Sequence, residues 1–143
     1  MKRFLFGLAR ALDYRRQQLE LEEAKLEVLL AERGRLDADS LRIENEVAGT
    51  RQSLMVTGSA ESQELVAADL YLGYLAEEKK RQAAKLANWQ ERASKQQREM
   101  VEARRRVRLI EKLKDKQFQA WKSEADREQE NLSAELYLAR WKK

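Results

Sequence analysis

The sequence predicts an all-α fold, a long two-helix antiparallel coiled-coil hairpin in which the second helix is longer than the first. Three observations carry that reading. Apolar residues recur every seven positions in two stretches separated by one glycine-containing gap, no proline interrupts either stretch, and 38% of the residues are charged, with five glycines and no cysteine. A seven-residue repeat held over many turns keeps one stripe of two slightly under-wound helices facing each other, which helices of ordinary globular length do not need. Leu, Ala, Glu, Lys, Arg and Gln dominate, so intrinsic helix propensity agrees with the periodicity. The chain therefore reads as a single elongated unit over residues 1–143.

Helix one is predicted from about residue 3 to residue 56, roughly 80 Å at ~1.5 Å per residue. One seam series is Leu5, Leu12, Leu19, Leu26, Arg33, Ser40, Val47 and Leu54; the other is Leu8, Arg15, Glu22, Leu29, Leu36, Ile43 and Thr50, so that ten of fifteen positions are apolar. Gly34 and Gly49 each cost up to ~1 kcal/mol relative to alanine but do not stop the helix. The turn is placed at 57–62, around Thr57-Gly58-Ser59-Ala60, where glycine can take a left-handed conformation and Ser59 can cap the next helix. Helix two is predicted over 63–140, with seam positions Leu72, Leu75, Lys79, Gln82, Leu86, Trp89, Ala93, Gln96, Met100, Ala103, Val107 and Ile110. Its polar members, like Arg15, Glu22 and Arg33 in helix one, weaken the seam and fix its register.

With the turn centred near residue 59, residue n of helix one falls opposite about residue 118 minus n. Leu5 then faces Leu113, and everything beyond about residue 116 overhangs, with Phe118, Trp121, Leu132, Leu136, Tyr137 and Trp141 lacking an intramolecular partner helix. Tryptophan and tyrosine are residue types that anchor interfaces, so the overhang reads as a binding surface.

The net charge of +4 is unevenly spread, with one block at Lys79, Lys80 and Arg81 and another at Arg104, Arg105, Arg106, Arg108, Lys112, Lys114 and Lys116. Nucleic-acid binding would need a basic face uninterrupted by acid, or stacking aromatics beside it, whereas Glu102, Glu111 and Asp115 intrude in the second block, so nucleic acid is not the expected partner. An acidic protein surface is, since a basic ridge steers and orients an encounter. The start, with Phe4, Leu5, Phe6 and Leu8 beside Lys2, Arg3 and Arg10, is amphipathic enough for an anionic membrane surface, although the heptad runs through it unbroken. No apolar run approaches the ~20 residues that cross a bilayer, and the start is too short and interrupted for a signal peptide. The expectation is a soluble cytoplasmic protein.

There is no histidine and no cysteine, hence no imidazole base and no zinc site of the usual ligand set. The glycines are dispersed, without a phosphate-binding loop, and a heptad seam is filled by its own side chains. Neither enzymatic activity nor a cofactor is expected.

Several segments occur together in a recognisable order: Phe4-Leu5-Phe6-Gly7-Leu8 followed by Leu12 and Arg15-Arg16; Asp69-Leu70-Tyr71-Leu72-Gly73-Tyr74-Leu75; Arg105-Arg106-Val107 with Leu109-Ile110-Glu111-Lys112-Leu113; and Arg127-Glu128-Gln129 before Leu132. In that order, and over nearly the whole chain, the sequence resembles the FliJ family of flagellar type III export stalk and chaperone proteins. The resemblance implies a cytoplasmic, non-enzymatic component at the cytoplasmic face of the inner membrane. It implies insertion into a hexameric flagellar export ATPase and contact with the export gate protein and substrate-specific export chaperones. By the same resemblance Phe4, Arg104, Arg105, Arg108, Phe118, Trp121, Leu132 and Leu136 would face the ATPase, and Tyr71, Leu75 and Gln82 the gate; Leu86 with Trp89 is similar to a leucine-tryptophan pair just beyond. Glu78 departs from the family, which can carry a small residue there, and Ser133 and Ala134 replace a more acidic stretch. An injectisome stalk of the same architecture, or a structural coiled coil that self-associates through the overhang, are the alternatives.

Overall fold

The computed structural model describes residues 2–56 and 62–142. Two helices account for nearly all of them, α1 over Ala9–Val56 (48 residues) and α2 over Ser62–Trp141 (80 residues). The fold is thus an all-α two-helix hairpin with the longer helix second. The turn expected at 57–62 lies, apart from Ser62, outside the described residues.

The seven-residue repeat is what the helices bury. Every predicted seam position of α1 from Leu12 to Leu54 is buried or half-buried, and so is every one of α2 from Leu72 to Ile110 except Lys79. Lys79 is exposed, and Glu78 is half-buried instead. A strongly hydrated ammonium on a flexible stem stays in water, and the 3.6-residue helical turn drifts against a 3.5-residue repeat, so a shift of one position is cheap there. Gly34 and Gly49 leave the α1 ladder unbroken, and a Cβ added at either would meet nothing within 4 Å.

By internal contacts the chain divides into two compact units, one formed by Met1–Glu22 with Met100–Lys143 and the other by Glu23–Glu99. In the Glu23–Glu99 unit the helices run antiparallel: Leu29 meets Trp89 and Glu46 meets Tyr71, one number falling as the other rises. Its centre holds Ile43 and Leu75, each 1% exposed. The Trp89 Nε1–H donates to the Leu29 carbonyl at 2.6 Å, using the second lone pair of an oxygen inside α1. The Arg33 guanidinium lies 4.9 Å from the Trp89 ring centroid and its Nε donates to Asp37 at 3.0 Å. This explains a cation in the seam: its Cζ sits over the indole ring while its charge is paired outside. Gln82 is only 6% exposed and its Oε1 accepts no hydrogen bond.

The other unit buries Leu12, Ala103, Val107 and Ala125, a mostly small-residue core, with Arg16 donating to Glu111 at 3.3 Å across its surface. Here the structure corrects the expected start of helix one. Residues 2–6 are not helical; the Ala9 N–H donates to the Phe6 carbonyl and the Leu12 N–H to Leu8, so Leu8 carries the first α-helical acceptor. In place of a seam residue, Leu5 is 82% exposed, while Phe4 and Phe6 on either side of it are half-buried. That alternation is the two-residue period of extended chain. Extended chain advances roughly 3.3 Å per residue against 1.5 Å for helix, so the segment reaches further along α2 than a helix would, and Phe4 meets Phe118 rather than the region of Leu113. Gly7, costly inside a helix, lies at the break.

The orphaned Gln82 carbonyl costs about 1–3 kcal/mol where it sits. Gln82→Leu should therefore raise the unfolding free energy by about 1–2 kcal/mol in urea melts; an unchanged or lower midpoint would mean that the amide is satisfied in solution.

Candidate functional site

Two surfaces gather the residues expected to bind partners, one in each unit. In the unit formed by the chain termini, the start of the chain lies as a strap on α2. Phe4 packs edge-on against Phe118 at 5.3 Å between centroids and at 5.8 Å from Trp121, and the Phe118 and Trp121 rings stack at 5.8 Å. The Trp121 Nε1–H donates to the Lys2 carbonyl at 3.0 Å, satisfying the one polar atom of the indole. Phe118 and Trp121, expected to lie bare in the overhang, are therefore partly covered by the strap, and the overhang begins later. Every described residue from Asp126 onward is exposed, including Leu132, Leu136, Tyr137, Leu138 and Trp141. Of the residues expected to face an ATPase, the structure brings Phe4, Phe118 and Trp121 into one cluster and leaves Leu132 and Leu136 uncovered.

The arginines of the second basic block differ among themselves. Arg105 and Arg106 both reach Glu102, at 3.6 and 3.7 Å, whereas Arg104, half-buried, and Arg108 form no ion pair with a described residue. Arg104 and Arg108 are four residues apart, on adjacent turns of one helix face.

The second surface belongs to the Glu23–Glu99 unit. Tyr71 is 41% exposed; its hydroxyl donates to Glu46 Oε2 at 2.7 Å and its ring stacks on Tyr74 at 6.3 Å. With exposed Val66 and Leu70, eight and four residues before Tyr74 on the same helix face, these tyrosines form an apolar and aromatic patch near the start of α2. Leu75 and Gln82, expected beside Tyr71 in a gate contact, lie buried in the seam with their side chains against α1. Burial follows from the repeat itself, since both are seam positions; of the three expected residues only Tyr71 offers side-chain surface. Tyr74 and Glu46 complete the patch, and the antiparallel register that pairs n with about 118 minus n places Glu46 beside Tyr71 from sequence alone.

Hydrogen bonding sets the electrostatics. The Tyr71 hydroxyl, then the Arg42 guanidinium, hold the Glu46 carboxyl below its ordinary value of 4.5, and the bond to Glu46 raises the Tyr71 phenol above 10.0. The two-pronged bond from Arg92, 3.0 Å at its longer arm, lowers Glu32 in the same way. No described helix is long and apolar enough to cross a membrane. Comparison of the chain with family models, curated proteins and solved structures returns no match.

Two measurements follow from this geometry. Because both carboxyls have lowered folded-state values, the stability they contribute is fully present above 4.5 and is lost as pH falls below it through those values. The loss in melting temperature between about pH 6 and about pH 3 should be smaller in a Glu32→Gln, Glu46→Gln variant than in the parent, and high salt should narrow the difference, since these groups are solvent-accessible. For the strap, Phe4→Ala in a Trp89→Phe, Trp141→Phe background should shift Trp121 emission to longer wavelength with helical circular dichroism unchanged. An unshifted spectrum would show that the strap does not cover the indole.

Proposed function

We propose that this chain is a non-enzymatic stalk or adaptor of the flagellar type III protein export apparatus. In this reading it enters and promotes the hexameric export ATPase, contacts the export gate protein and substrate-specific chaperones, and works in the cytoplasm at the inner-membrane face. The observation that carries the reading is the end of α2. Between residues 132 and 141, seven of ten side chains are apolar (Leu132, Ala134, Leu136, Tyr137, Leu138, Ala139, Trp141), and they are distributed around the helix. All are exposed. A helix apolar on every side is built to be surrounded, and the lumen of a ring surrounds a helix where a flat surface cannot. Arg104 and Arg108, free of ion pairs with described residues, supply cations for acidic groups of such a partner. The Tyr71 and Tyr74 patch gives a separate aromatic surface suited to the gate. The order of segments along the chain supports the same assignment.

The test is a titration of the purified chain into the flagellar export ATPase, following ATP hydrolysis and hexamer formation. A variant ending at Ala125 keeps the Phe4, Phe118 and Trp121 cluster and removes only the exposed end. The full chain should stimulate hydrolysis and ring formation, and the shortened chain should lose most of that effect while retaining its helicity. Equal behaviour of the two would sink the reading of the exposed end, and no effect from either would sink the stalk assignment.

A further inference from the structure

Up to Trp121 and Ala125 the inward face of α2 is at least partly covered; beyond them the same face continues as Leu132, Leu136 and Ala139, spaced four and three residues apart and so in one row. Charge along this stretch is ordered. Residues 124–135 carry five acids and one arginine, and Arg140 and Lys142 follow with no acid between them. We infer that a second copy of this chain covers this row, the two overhangs lying antiparallel across a twofold axis at the level of Ala134.

The charges choose both the occupant and its direction. A parallel pair would set acid against acid along the whole acidic run. An antiparallel pair with Leu132 opposite the second copy's Leu136 sets Lys142 between Glu124 and Glu128 on one flank and Arg140 near Asp126 on the other. Each of these contacts occurs twice by symmetry. The register also places Ala139 near Gln129, so that no charge falls into the apolar row. The second copy supplies what α1 supplies earlier along α2, a partner helix on the inward face. The overlap, about 18 residues or ~27 Å long, is small for a stable interface, so the association is concentration-dependent. This inference does not rest on the export reading. A ring partner that encloses the same segment would compete with it.

Sedimentation of the full chain from about 1 µM to about 500 µM should show monomer passing to dimer. Leu132→Glu with Leu136→Glu should remain monomeric throughout with unchanged helicity. Glu124→Lys with Glu128→Lys, and separately Arg140→Glu with Lys142→Glu, should each weaken self-association about tenfold, and mixing the two variants should restore a heterodimer. The chain has no cysteine, so direction is read by disulfide trapping: Leu132→Cys mixed with Leu136→Cys should cross-link, and neither should alone. Monomer mass at every concentration, species larger than dimers, failure of the mixed charge variants to pair, or cross-linking of Leu132→Cys with itself would each overturn the inference.

Discussion

The two helices differ in length by 32 residues, 80 against 48, and the distribution of exposed apolar surface follows from that inequality. A heptad seam is stable only where both strands of it exist. Where α1 is opposite, the seam leucines, Ile43, Val107 and the seam alanines are wholly or partly removed from water at roughly 25 cal/mol per Å² of apolar area. Where α1 runs out, α2 keeps its helical ladder but has to find other cover for its inward face. The chain first extends the cover with non-helical residues, which reach further per residue than helix and place Phe4 on Phe118 and Trp121. Beyond Ala125 no described residue provides cover, and the inward face stays bare.

Within the Glu23–Glu99 unit the apolar seam alone would leave the pairing ambiguous. Sliding one helix by seven residues puts leucine opposite leucine again, at little cost in buried area. The polar contacts do not repeat in that way. A slip would take the Trp89 indole from the Leu29 carbonyl, Arg33 from the Trp89 face, and both prongs of Arg92 from Glu32. Individually the exposed ion pairs contribute little, being screened by solvent. Their effect is on register, since they are lost together in every alternative alignment while the apolar term barely changes. Gln82, buried without a partner for Oε1, contributes to neither end.

The seam was legible in the sequence because its signal is long and redundant: from Leu12 to Leu54 and from Leu72 to Ile110, one misplaced position, Lys79, did not disturb the rest. The strap was not legible because two patterns coincide there. Leu5 and Leu8 continue the heptad, while Phe4 and Phe6 alternate about Leu5, and sequence periodicity cannot say which pair is buried. The outcome turns on aromatic surface held by α2 more than a hundred residues away, Phe118 and Trp121. The same tertiary contact shifted the start of the overhang. At the tyrosine patch the resemblance nominated Leu75 and Gln82 alongside Tyr71, although their heptad positions already placed them inside; the periodicity was the better guide to exposure.

The bare end of α2 has to satisfy two requirements with one set of side chains. Its all-round apolar character suits a partner that encloses it, whereas the acid-then-base order of its charges suits a partner running the opposite way along one face. The two proposals are compatible, since pairing and enclosure would operate at different stages. An exposed apolar helix of this kind carries an aggregation risk while no enclosing partner is present. A twofold pairing whose charges fix a single direction closes on itself and stops at two, whereas an unspecific apolar contact would propagate. A weak closed pair hides Leu132 and Leu136, leaves Leu138 and Trp141 on the outer face, and yields to any partner that buries both faces at once.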